Sequence, residues 1–327
     1  MLKIKDITAD LNSAELIARI EKVIISTGSN GSNYMIIHLT DTTGRVEARK
    51  WIVTEQDKEV IKPNAYIHFK DITPNEYRGI LQLKINDYKI LTEEEVFALG
   101  LTKADFFVVA PVNIEREYEN LMELLNQVKN DTYRNLTIGL IKKYEKQFLT
   151  YPAAMSIHHN VAGGLFWHSY TLVKNCLAIK PSYTYASIDW NLLICGAILH
   201  DIGKVVEIID ETAVDYSLEG KLLGHISIGN AELNKLAQEQ GIYTDANGVI
   251  NHDLTLLQHM ILASHGKKEY GSPQEPAIME AIILSTFDNL DARIYKVNDE
   301  LNKVDQDSWT GRIPSEDGKM YLKHYKK

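Results

Sequence analysis

A chain of 327 residues, 45% hydrophobic and 24% charged, has the composition of an ordinary globular protein and room for one large or two to three modest domains. Its net charge of −9 excludes a wholly basic nucleic-acid coat but leaves room for a local basic groove. Cys176 and Cys195 fall in apolar helical stretches and give no sign of a disulfide framework. No window approaches about 18 consecutive apolar residues, so a cytoplasmic protein without a membrane span is expected.

Residues 1–95 read as short strands. Stretches 16–25, 34–40, 45–51, 65–70 and 80–85 are apolar with partial alternation. A polar loop at 26–33 and the turn Asp41-Thr42-Thr43-Gly44 separate the first three. Five short strands with a long early hairpin predict a small closed barrel. Over residues 17–90 the pattern resembles an OB-fold of the nucleic-acid-binding kind, with the 41–44 turn and Trp51 as its best marks. The resemblance implies an oligonucleotide face across the second and third strands, for which Tyr34, Arg49, Trp51, Tyr77 and Arg78 are the candidates. The alternative is that Trp51 and Tyr66 are core aromatics and the charges are solvated.

Thr92 followed by three glutamates predicts a helix start, the threonine capping and the carboxylates lying in the first turn. Tyr118, Leu121, Leu124, Leu125 and Val128 repeat at helical spacing, and a further helix is expected over 136–148. His158-His159 before Gly163-Gly164 is either the mouth of a site or an exposed loop.

The second half carries the chemistry. From Gly164 a helical stripe runs through Leu165, His168, Leu172, Cys176 and Ile179. The apolar run 192–199 ends abruptly in His200-Asp201-Ile202-Gly203-Lys204. A carboxylate buried without a partner at that point would cost several kcal/mol, and a metal cation compensates it economically. Asp288 lies in a third apolar helix, 282–291. Two imidazoles and two carboxylates suit Mn²⁺, Fe²⁺ or Co²⁺ better than Ca²⁺, and a ligand set without cysteine argues against a structural cysteine-rich zinc site. Lys204 either contacts a phosphate or complements the helix end. Ile294, Val297, Leu301 and Val304 predict a last helix beyond Asp291.

The order His168, His200-Asp201, Asp288 resembles the HD-domain metal-dependent phosphohydrolases over roughly residues 160–295. In the binuclear members of that family, histidines between the HD pair and the final aspartate hold a second ion, with the HD aspartate as bridge. By that resemblance His225 and His265 are second-site candidates, and His259 a further one. Ser264 stands where many members have histidine.

Pro152-Ala153-Ala154, His158-His159-Asn160, the 220–225 segment Gly-Lys-Leu-Leu-Gly-His and Asp288-Asn289-Leu290-Asp291-Ala292 narrow the resemblance to the YhaM family of 3′→5′ exoribonucleases. It implies a multidomain α and β protein: an OB-like barrel at 1–92, a helical linker and first helices at 93–150, and an all-α HD domain with a C-terminal helix at 151–327. It further implies one or two divalent ions, Mn²⁺ or Co²⁺ first, and metal-activated water that trims single-stranded RNA, with DNA as a second substrate, to nucleoside 5′-monophosphates. Asp201 and Lys204 are the expected catalytic residues. A homo-oligomer is expected, because a cluster of subunits restricts access to single strands. The rival readings are an HD phosphohydrolase of small or cyclic nucleotides and a non-catalytic OB nucleic-acid-binding protein.

Overall fold

The computed structural model describes residues 2–11, 14–28, 31–77, 80–154, 161–209, 215–244 and 247–325. The chain divides into two compact units, residues 1–109 with 299–327, and residues 110–298.

The first unit is a five-stranded closed barrel in the order β1-β2-β3-β5-β4. Its strands are β1 (Ala14–Thr27), β2 (Asn33–Asp41), β3 (Gly44–Lys50), β4 (Tyr66–Tyr77) and β5 (Ile80–Leu91), with helix α1 (Glu55–Val60) between β3 and β4. β1 closes the barrel because it is long enough to serve two partners. Its first half pairs with β4, its second half with β2, and a register shift between Ile20 and Lys22 re-aims it. β3 and β5 pair in parallel. The interior follows a period of two, as pleated strands demand: Leu16, Ala18 and Ile20; Met35, Ile37 and Leu39; Val46 and Ala48; Ile67 and Phe69; Leu83 and Ile85 are all buried.

Helix α1 has no apolar periodicity, so the alternation that revealed the strands could not reveal it. A capping box holds it: Thr54 Oγ1 accepts from Asp57 N, and Asp57 Oδ2 accepts from Thr54 N at 2.7 Å. Asp57 also accepts from Tyr88 Oη and lies 3.3 Å from Lys50 Nζ. Burial pushes its carboxyl up, but the Thr54, Tyr88 and Lys50 donors outweigh that and hold it below the usual carboxylate range. A depressed folded-state value stabilises the protein at pH above the ordinary carboxylate range, and that contribution is lost as pH falls through the folded value. Asp57→Asn is therefore expected to destabilise the barrel by about 2 kcal/mol near neutrality, with the gap to wild type closing in acid. Thermal melts across that range check it.

After α2 (Glu93–Ala98), capped by Thr92 as expected, the second unit is helical. It comprises α3 (Ile114–Asn126), α4 (Asp131–Lys143), α5 (Glu145–Thr150), α6 (Gly164–Ile179), α7 (Trp190–Leu199), the single turn α8 (Lys204–Glu207), α9 (Leu218–Glu239), α10 (His252–Leu262) and α11 (Met279–Leu301). Helices α3–α5 are the first helices of this unit. Leu121, Leu125, Leu136, Leu140 and Phe148 share one core with α6 and α7. The expected last helix is the continuation of α11, unbroken from Met279 to Leu301, and residues 299–327 group with the barrel rather than with the helical unit. No helix of the described residues is long and apolar enough to cross a membrane.

α7 is buried on every side from Leu192 to Leu199, as its uninterrupted apolar sequence requires. Asp189 caps it, accepting from Asn191 N and Leu192 N. At its other end Gly203 permits a close crossing: a Cβ there would lie 1.9 Å from the His225 carbonyl oxygen. Only glycine lets the α9 backbone rest on the turn after the His-Asp pair. α9 itself bends at Gly224, whose φ of 72° is open to glycine at little cost.

Candidate metal centre

The helices bring together six of the expected ligands. His168 comes from α6, His200 and Asp201 follow α7, His225 follows the α9 bend, His265 lies just beyond α10, and Asp288 is on α11. They form two groups, His168–His200–Asp288 and Asp201–His225–His265, and within each the candidate ligand atoms lie within 4.8 Å of one another. In the first, His168 Nε2 is 3.2 Å from both His200 Nε2 and Asp288 Oδ1. In the second, His225 Nε2 is 3.4 Å from His265 Nε2 and from Asp201 Oδ1. Asp201 faces both: its Oδ2 is 3.3 Å from His200 Nε2 and 3.7 Å from His168 Nε2.

All four imidazoles are oriented by the same device. His168 Nδ1 is 2.7 Å from Asp291 Oδ2, His200 Nδ1 is 2.9 Å from the Ala197 carbonyl, His225 Nδ1 is 3.1 Å from Glu207 Oε2, and His265 Nδ1 is 3.1 Å from the Tyr270 carbonyl. Carbonyls and carboxylates only accept, so each Nδ1 donates its hydrogen outward and each Nε2 turns its lone pair inward. Glu207 is doubly engaged, its Oε1 accepting from His225 N at 3.0 Å.

Nε2 lone pairs that meet at 3.2 and 3.4 Å repel unless a proton or a cation lies between them. Asp201 Oδ1 is buried without a hydrogen-bond partner, a state that costs free energy unless it is compensated. Four imidazole nitrogens and two carboxylates are the donor set of a borderline divalent ion. The residues fit a metal on these grounds.

The electrostatics agree. Burial pulls the His168 ring down, but Asp288 and Asp291 outweigh it and raise the pKa to about 9. Burial pushes the Asp288 carboxyl up, but His168 and His200 bring it to about 2. Asp201 is held well below the usual carboxylate range, burial being overcome by His200 and Lys204. Burial holds His265 below the ordinary imidazole value. In the absence of a cation, the proton on His168 and the ammonium of Lys204, 2.7 Å from Asp201 Oδ2, neutralise the acids.

The two groups differ in access. His168 and His200 are fully buried, whereas the His225 side chain is 17% exposed. A cavity of about 330 Å³ reaches Asp201, His225, His265 and Asp288, but neither His168 nor His200 lines it. Lys204 and Glu207 do.

His259 is not with the other candidates. Its Nε2 accepts from Ala277 N at 3.0 Å, and it stays on α10, whereas the chain leaves the helix at Ala263 before delivering His265. Ser264 is fully buried, its Oγ without a hydrogen-bond partner among the described residues. His158 and His159 lie outside the described residues, as do Arg78 and the Tyr77 side chain. The residues missed were Glu207 and Asp291. Their traces in the sequence were acidic side chains one helical turn beyond Lys204 and Asp288 and, for Asp291, its place in the stretch Asp288-Asn289-Leu290-Asp291-Ala292.

In the barrel unit, Tyr34 on β2 and Trp51 after β3 stack with centroids 5.0 Å apart, and the Arg49 guanidinium lies 5.9 and 5.7 Å from the two rings. Trp51 is half exposed, whereas Tyr66 is buried against Phe106. Of the two aromatics with a possible core role, only Tyr66 has it.

A closed five-stranded barrel joined to a helical unit with paired His/Asp clusters defines an HD-domain protein with an OB-like N-terminal module, and the HD domain family matches residues 165–293. The chain is 36% identical over 304 residues to a 3′-5′ exoribonuclease YhaM of a Geobacillus species, covering 93% of this chain and 90% of the relative. It is 34% identical over 295 residues to the enzyme of that name from Bacillus subtilis, covering 90% of each. The chain belongs to the YhaM family. Among solved structures, the second OB-fold domain of replication protein A from Methanococcus maripaludis aligns with a TM-score of 0.23 at 16% identity, covering 28% of this chain and 93% of that one.

Proposed function

We propose that the protein is a metal-dependent 3′→5′ exoribonuclease that removes nucleoside 5′-monophosphates one at a time from single-stranded RNA, with single-stranded DNA as a second substrate. The observation that carries the reading is the pair of ligand groups joined through one buried carboxylate, Asp201, at the floor of a cavity. That its relatives are named 3′-5′ exoribonucleases supports it. His168, His200, Asp288 and Asp201 Oδ2 would hold the first ion, and Asp201 Oδ1, His225 and His265 the second. Mn²⁺ is the first choice, with Co²⁺ and Fe²⁺ next.

Bound there, the ions would supply Lewis acidity, making a water nucleophilic near neutral pH and offsetting phosphate charge. The chain's own residues do the rest. Asp201 fixes the separation of the two groups by facing each with one oxygen. Asp291 and Glu207 hold His168 and His225 against rotation. Lys204, raised above its ordinary value because Asp201 outweighs its burial, keeps a positive charge beside the cavity where a phosphate would lie. The cavity volume is near the lower end of the range for small-molecule sites, about 300–1,000 Å³. That size suits one terminal nucleotide and not a duplex.

The barrel would grip upstream nucleotides through the Tyr34–Trp51 stack and the Arg49 charge. Trp51→Ala is expected to cost about 1–3 kcal/mol of affinity for single-stranded RNA, read by fluorescence anisotropy. Unchanged affinity would remove Trp51 from the binding face.

To test the whole reading, the protein is incubated with 5′-labelled single-stranded RNA and with a cyclic dinucleotide, in Mn²⁺ and in EDTA. A ladder of 3′-shortened RNA with Mn²⁺ alone is the expected result. Hydrolysis of only the cyclic dinucleotide would overturn it in favour of a small-nucleotide phosphohydrolase.

A further inference from the structure

The cavity has walls that the metal groups do not use. Away from the ligands its walls include Ala153, Ala154 and Ala292, small side chains that leave room, and two tyrosines, Tyr216 and Tyr270. Tyr216 is half-buried, but Tyr270 is 55% exposed, a large ring left in water at the edge of the site.

The backbone beneath Tyr270 is tightly fixed. Lys268–Tyr270 form a single 3-10 turn, closed by Gly271 at φ 93°. Tyr270 N donates to the Lys267 carbonyl at 3.0 Å, and the Tyr270 carbonyl accepts from His265 Nδ1 at 3.1 Å. One residue thus orients a candidate ligand of the second group through its carbonyl and lines the cavity. Its backbone is therefore anchored beside the place where a terminal phosphodiester would sit. Lys267 Nζ lies over one face of that ring, 5.4 Å from the centroid. Among the described residues no other aromatic ring stacks on the second face.

We propose that Tyr270 is the stacking surface for the base of the 3′-terminal nucleotide. The inference rests on the exoribonuclease reading and deepens it. A ring that stacks on a base and makes no in-plane hydrogen bond to it tolerates all four bases, since every base has a π face. Among the described residues lining the cavity, Asn289 alone carries a side-chain amide. An enzyme that shortens RNA one nucleotide at a time needs such a stacking contact, because each new terminus carries a different base.

The test compares two 5′-labelled RNAs, identical except that one ends in a 3′ nucleotide lacking its base, with wild type, Tyr270→Phe and Tyr270→Leu. Wild type is expected to prefer the intact terminus by about tenfold or more in kcat/KM. Tyr270→Phe keeps that preference. Tyr270→Leu brings the ratio close to one by slowing the intact substrate far more than the abasic one. Mn²⁺ titration and circular dichroism accompany each variant. The His265 hydrogen bond is made by the backbone carbonyl, so both are expected to be unchanged. Wild-type discrimination in Tyr270→Leu would overturn the assignment. So would a collapsed Mn²⁺ isotherm in that variant, which would make the residue a support for the metal centre. If wild type shortens neither RNA, the exoribonuclease reading itself falls and the inference with it.

Discussion

Asp201→Asn is expected to lose 3′-shortening of RNA by at least about 10³-fold, since the metal contribution at stake is several kcal/mol and each 1.36 kcal/mol is tenfold. Asparagine is the informative replacement. Alanine would strand the buried Lys204 ammonium, and removing one partner of a buried ion pair costs about 3–5 kcal/mol. The asparagine amide oxygen can still accept from Lys204 Nζ in place of the Oδ2 that now lies 2.7 Å away. Its NH₂ group, however, would place hydrogens where a cation needs a lone pair. Affinity for RNA, which the proposed function assigns to the barrel unit, should be unchanged. Gel assays of the ladder, with anisotropy for binding, separate the two. A variant that still shortens RNA at the wild-type rate would remove Asp201 from the centre of the chemistry.

The second large effect concerns the two carboxylates that orient the rings. Asp291→Ala frees His168 Nδ1 and Glu207→Ala frees His225 Nδ1. Loss of such a partner weakens metal affinity by about 10–100-fold. The two residues serve different groups, so each substitution should shift one step of a two-step Mn²⁺ isotherm. Asp291→Ala should act on the group whose histidines, His168 and His200, are fully buried, and Glu207→Ala on the group whose histidines line the cavity. Calorimetry or the electron paramagnetic resonance of free Mn²⁺ resolves the steps. Equal shifts of both steps in both variants would show that the groups do not bind independently. Isotherms matching wild type would show that the orienting bonds do not matter.

The same pair of residues marks the limit of what a linear reading of this chain reveals. His168, His200, Asp201 and Asp288 were legible because each is a polar residue on an otherwise apolar helix, an anomaly visible in a window of ten residues. Glu207 and Asp291 were not, because which imidazole each carboxylate meets depends on how separate helices approach one another. The barrel strands were legible for the opposite reason. Alternation with a period of two is a local consequence of the pleat, and the buried set of β1 to β5 follows it. Helix α1, held by a cap and by contacts with Tyr88 and Lys50, left no such periodic trace.

The sequence by itself determined the kinds of donor available, their order along the chain, and the barrel's inward face. These depend on residue type and local period. Tertiary structure decided which donors meet. Only the crossing of α9 over Gly203 brings His225 to Asp201, and only the departure of the chain from α10 at Ala263 separates His265, which joins the second group, from His259, six residues earlier. Tertiary structure also oriented the His168 and His225 rings, whose Nδ1 partners Asp291 and Glu207 lie on other elements, whereas His200 and His265 find theirs in the nearby Ala197 and Tyr270 carbonyls. Metal-ligand chemistry is specified residue by residue. The geometry that makes it a site is specified by how closely buried helices can pack, and that is a property of pairs of distant segments.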